Sequence, residues 1–145
     1  MTRLARFVRL PSPDRGALIE AALALGLSSL LIRTIGFSRI ARRLGRHMAE
    51  GPTVATPESV ADAARVRWAV DTAARVLPWK PVCLPQAIAA TLMLNRRDIA
   101  SILYLGVDPT RALDAHAWVR VGEVTVTGGP VDQRFAVVST FACPG

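Results

Sequence analysis

Cysteine and histidine are scarce in this chain: its 145 residues hold two of each, Cys83, Cys143, His47 and His116. Two cysteines set far apart make neither a disulfide framework nor a paired-cysteine zinc site. The four side chains form no spaced ligand set, so neither a metal nor an organic cofactor is indicated. Internal repeats and low-complexity tracts are also lacking. So is an uninterrupted apolar run of membrane-spanning length. Residues 17–32 are apolar and follow Arg3, Arg6 and Arg9 in the manner of a signal peptide, but Glu20 sits inside the run. Gly26, Ser28 and Ser29 dilute it, and Arg33, Arg39, Arg42 and Arg43 stand where a cleavage site would. The run falls short of the roughly 20 residues a span needs. The expectation is a cytoplasmic protein with an apolar N-terminal helix, peripheral membrane contact by that basic segment remaining open.

What is present is ample apolar material. The chain is 51% hydrophobic and 20% charged, which suits one folded domain over residues 1–145 with a single core. Charge is unevenly placed: residues 1–80 carry 13 basic and 6 acidic side chains, residues 81–145 five of each, so the whole net +7 lies in the first part. Arg39, Arg42, Arg43 and Arg46, with an isoelectric point near 11.2, resemble a nucleic-acid footprint. No nucleic-acid motif accompanies them, so nucleic acid is not expected as a partner. A docking surface for partner proteins is the preferred reading, and a solvated helix face is the plain one.

The pattern changes near residue 78. Before it, residues 14–33, 37–47 and 58–77 read as helices, the first capped by Ser12 or Asp14, with Gly51, Pro52 and Pro57 marking a linker. After Pro78, residues 84–95 read as a further helix with Cys83 in its first turn. Residues 101–107, 115–121, 124–127 and 135–141 read as strands. Alternation in the second of these sets His116, Trp118 and Arg120 on one face and Ala117, Val119 and Val121 on the other. Gly122-Glu123 is a two-residue hairpin turn with glycine first. The fold class is α+β: N-terminal helices over residues 1–77, then a helix and an antiparallel sheet over residues 78–145.

This layout suggests a cysteine nucleophile paired with a histidine. A helix N-terminus offers unpaired N–H groups and the positive end of the dipole, which stabilise negative charge on a sulfur or an oxyanion. His116 on a neighbouring strand would take the thiol proton and later protonate a leaving amine. The order cysteine then histidine, helix then strand pair, is the order of papain-like and transglutaminase-like folds.

The strings Trp79-Lys80-Pro81-Val82-Cys83-Leu84-Pro85-Gln86-Ala87, Leu105-Gly106-Val107 and Ala115-His116-Ala117-Trp118-Val119 carry a resemblance. So do Leu30-Leu31-Ile32-Arg33 and Ile40-Ala41-Arg42-Arg43-Leu44-Gly45. Together they resemble the transglutaminase-like B proteins of lasso-peptide biosynthesis, over nearly the whole chain. The resemblance implies a cysteine peptidase that cuts the leader from a ribosomally made precursor, so that an ATP-dependent cyclase can close the macrolactam. It also implies a stand-alone protease that works with a separate leader-recognition protein.

A third residue normally orients the histidine from the paired strand. Counting outward from the Val121–Val124 pair brings His116 opposite Gly129, where no carboxylate stands; Asp132, just beyond, is the nominee. Leu84 is expected to offer its N–H to the oxyanion, and Gln86 either to join it or to brace the helix. Trp118 is a candidate cleft wall, with a core position as the competing reading. Taken alone, Cys83 reads as a small buried hydrophobe and His116 as a structural histidine; the surrounding strings reverse both readings. His47 reads as a solvated surface residue and Cys143 as incidental. Two other functions stay open: acyl transfer to an amine by the same pair, and a non-catalytic binding or scaffold protein of the same fold.

Overall fold

A computed structural model describes residues 2–48, 55–111, 114–129 and 135–144. Five helices, α1 (Arg3–Arg9), α2 (Ser12–Thr34), α3 (Phe37–Leu44), α4 (Pro57–Val76) and α5 (Cys83–Arg96), combine with five strands. These are β1 (Arg46–His47), β2 (Ser101–Val107), β3 (Ala115–Val121), β4 (Val124–Thr127) and β5 (Ala136–Cys143). All pairings are antiparallel and the sheet order is β1-β5-β2-β3-β4.

The helices pack closely because small residues face one another. On α2 the buried positions Ala17, Ala21, Leu25 and Ser28 recur at helical spacing. They meet α4, which buries Ala63, Val66, Ala69, Val70, Ala73 and Ala74, and α5, which buries Ala87, Ala89 and Ala90 among larger side chains. The Ser28 hydroxyl is absorbed by its own helix, donating to the Ala24 carbonyl at 2.6 Å. By length and composition the 23-residue α2 is long and apolar enough to cross a membrane, longer than the apolar stretch read from the sequence. One face of it is core, while Ile19, Leu23, Leu27 and Leu30 lie exposed.

Helix α5 carries this layer onto the sheet, packing against β2, β3 and β4. Leu103, Ala117, Val119, Val121, Val126 and Phe141 join the helical residues in one core. The opposite face of β3 carries Trp118, whose ring stacks on Tyr104 of β2 at 5.4 Å and 3°. The β3–β4 turn falls at Gly122-Glu123, with Gly122 at φ +56 as a glycine-first turn requires.

Several elements differ from the sequence reading. Helix α1 is an extra element, capped by the Thr2 hydroxyl accepting from the Ala5 N–H. Helix α2 starts at Ser12 after Pro11, with no side-chain cap, and Pro13 sits in its first turn where its missing N–H costs nothing. Helix α3 stops at Leu44 because Gly45 turns extended, and Arg46–His47 become the edge strand β1 on β5. His47 is exposed but partnered: Nε2 lies 2.6 Å from Ser139 Oγ and its ring lies against Phe141. Cys143 is core rather than incidental, 3% exposed at the end of β5. Burial pushes its thiol from 9.0 up to about 11.

Candidate active site

Cys83 is the first residue of α5, delivered by the Trp79–Val82 approach. That approach is stapled to the helix: Gln86 Nε2 donates to the Pro81 carbonyl at 2.8 Å. Gln86 thus holds the approach against the first turn of the helix. The residue before the helix, Val82, supplies no side-chain cap, and Pro85 has no N–H to offer. The first turn thus presents the N–H groups of Cys83 and Leu84 without a capping side chain, the arrangement that favours an anion at this spot. Cys83 itself is half-buried and free.

Cys83, Gln86 and His116 line one cleft of about 380 Å³, with Val126 and Thr127 of β4 and the Gly128-Gly129 bend as its other wall. Two residues the sequence reading missed complete it: Arg67 and Asp71, four apart on α4. Asp71 pairs with Arg75 at 3.4 Å, and Arg67 reaches the Thr125 carbonyl at 3.5 Å. The Arg67-Asp71-Arg75 spacing along one helix face was the signal available for them.

His116 sits near the start of β3, on the face away from the core. Its Nε2 lies 2.8 Å from the Gly128 carbonyl oxygen. Its ring is flanked by Trp118 at 5.8 Å and Phe135 at 5.3 Å. Among the described residues, no hydrogen bond joins the imidazole to Cys83. Trp118, a candidate cleft wall, is instead 4% exposed and packed between Tyr104 and His116; it supports the imidazole from behind. Asp132 lies outside the described residues.

The strand register also differs from a straight count. Val121 pairs with Val124 and Arg120 with Thr125, but an irregularity follows and Val119 pairs with Thr127. The extra residue in β4 shifts the Val119 partner by one, and the bend that follows has Gly128 at φ +92. Among the described residues no three His, Cys, Asp or Glu side chains converge as a metal site.

The architecture is α+β, helices packed on an antiparallel sheet, with Cys83 opening α5 and His116 on β3. The sequence profile of the transglutaminase-like superfamily matches residues 31–140, most of the chain and both of these residues, and the protein belongs to that superfamily. The superfamily includes cysteine peptidases and acyltransferases. No curated protein and no solved structure matches the chain.

Proposed function

We propose that this protein is a cysteine peptidase that removes the leader from a ribosomally made lasso-peptide precursor before macrolactam closure. The observation that carries the chemistry is the shared cleft: Cys83, at the uncapped start of α5, and His116 line the same cavity. The choice of substrate rests on the resemblance of the Cys83 and His116 strings to the lasso-peptide B proteins. The Cys83 thiol gives its proton to His116 and the sulfur attacks the leader–core peptide bond. The Cys83 and Leu84 N–H groups hold the oxyanion. Collapse expels the core peptide's amine, which takes the proton from the imidazolium and leaves the leader as a thioester. Water, deprotonated by His116, then releases the leader acid and restores the thiol. In substrate-free sites such proton-transfer contacts are often long and tighten on binding, which suits the unbonded Cys83 and His116. The partners in this reading are the precursor's leader, a separate leader-recognition protein and an ATP-dependent cyclase.

The test is mass spectrometry of a precursor incubated with the protein and a leader-recognition partner, run in parallel with Cys83→Ala. A discrete leader fragment formed by the intact sequence and absent with Cys83→Ala is the expected result. Equal fragment in both samples overturns the assignment of Cys83. A leader amide formed when an amine is added in place of the acid indicates acyl transfer. Leader binding without cleavage in either sample indicates a scaffold.

A further inference from the structure

We infer that the backbone carbonyl of Gly128, rather than a carboxylate, is the group that orients His116, an inference resting on the role proposed for His116 above. A carbonyl oxygen only accepts hydrogen bonds, so the 2.8 Å contact requires Nε2 to carry the ring proton. That fixes the neutral tautomer and leaves Nδ1 as the sole basic nitrogen, the one available to the Cys83 thiol. Among the described residues the Gly128 carbonyl is the imidazole's one hydrogen-bond partner. When the thiol proton arrives on Nδ1, the imidazolium keeps Nε2–H on the carbonyl dipole, and the faces of Trp118 and Phe135 flank the new charge.

The position is built for this carbonyl. Gly128 has φ +92, and a Cβ there would lie 2.5 Å from Trp118 Cβ, 3.0 Å from the Ala117 carbonyl oxygen and 3.1 Å from His116 Nε2. No side chain fits without moving the peptide that holds the ring. The neighbouring Gly129, also at positive φ, has nothing within 4 Å of such a Cβ, so the crowding belongs to the residue whose carbonyl meets the imidazole. Gly128 is thus a positioning residue acting through His116.

The test is nitrogen-15 NMR of the imidazole in a His47→Gln background, where His116 is the only histidine. It is paired with the pH profile of Cys83 alkylation by a chloroacetamide. The expected result is a single Nε2–H tautomer in the neutral ring, unchanged in Asp132→Asn together with the alkylation profile. Gly128→Ala is expected to give mixed tautomers, a displaced profile and a loss of leader cleavage of roughly 10²-fold, the scale of a 1 Å misplacement of a catalytic group. An Nδ1–H tautomer overturns the inference, as does a profile that Asp132→Asn displaces. Should Gly128→Ala fail to fold, the tautomer and the Asp132→Asn comparison decide alone. A locked Nε2–H tautomer in a protein that cleaves no precursor counts against the peptidase reading and leaves the orientation of the ring by Gly128 supported.

Discussion

Glu20, an acidic residue within the apolar helix α2, is gripped by both ends of the Arg97 guanidinium. Nη1 donates to Oε1 at 3.0 Å and Nη2 to Oε2 at 2.8 Å. Arg96 adds a contact at 2.9 Å. The side chains of Glu20 and Arg97 are only 18% and 20% exposed, so this fork ties α2 to the C-terminal end of α5 out of easy reach of water. Glu20→Ala leaves Arg97 half-buried without a carboxylate, held by the Met93 carbonyl at 2.9 Å, and should lower stability by about 1–3 kcal/mol. Arg96→Ala, whose side chain is 74% exposed, should cost no more than about 1 kcal/mol. Urea midpoints of the two variants check the ranking, and equal losses would contradict it.

Cys143 gives a stability signature in alkali. Its folded thiol ionises near 11, above the 9.0 of the unfolded chain. Between those values the unfolded state loses the proton while the folded state keeps it. Stability contributed by the neutral thiol is therefore complete below about pH 9 and declines by about 2–3 kcal/mol toward pH 11. Denaturation of Cys143→Ala across the same range should show a shallower decline; parallel slopes would remove Cys143 as the cause.

The two thiols should also differ in access. Cys83 is half-buried at a cleft mouth, whereas Cys143 is 3% exposed under Gly45. Native protein should take up one equivalent of a maleimide rapidly and a second only in denaturant, with mass mapping placing the first on Cys83. Rapid double labelling would contradict the packing around Cys143.

Two glycines should respond to alanine with opposite signs. Gly26 lies within α2 with nothing within 4 Å of an added Cβ, so Gly26→Ala should stabilise by about 0.5–1 kcal/mol through helix propensity. At Gly45 the added atom would lie 2.6 Å from the Ala142 carbonyl oxygen and 2.8 Å from Cys143 Sγ. Gly45→Ala should destabilise by roughly 1–3 kcal/mol, the cost of overpacking. Thermal melts of the pair read both signs.

Arg39, Arg42 and Arg43 project from the exposed side of α3, whose Ile40, Ala41 and Leu44 face the core. If they dock a partner, its affinity should fall as salt shortens the screening length from about 10 Å at 0.1 M toward 3 Å at 1 M. Charge reversal at Arg43 should flatten that dependence. Affinity indifferent to salt would assign these arginines to solvation alone.

Much of the site could be read from local pattern. The alternation around His116, the Gly122-Glu123 turn and Cys83 in the first turn of α5 each depend on a few consecutive residues, and the structure places all three accordingly. What escaped depends on distant partners. Edge strand β1 exists because Arg46 and His47 meet Ala142 and Phe141, nearly a hundred positions away. The irregularity after Arg120 is invisible to a count that assumes one partner per residue. Arg67 and Asp71 enter the cleft through the packing of α4 on β4, which no residue near Cys83 announces. Trp118 lies on the face its alternation predicts, yet only its ring contacts with Tyr104 and His116 show that it backs the imidazole.

The strand order has a kinetic consequence. Strand β5 follows the other four strands in sequence, yet it lies inside the sheet, between β1 and β2. On a ribosome the helices and the β2–β3–β4 meander emerge first, with one edge of β2 waiting for residues 136–143. The sheet closes late, through contacts of large sequence separation, which are the slow ones to form. Until that last strand arrives, the open flank of β2 is the part of the nascent chain most exposed to pairing with a neighbour.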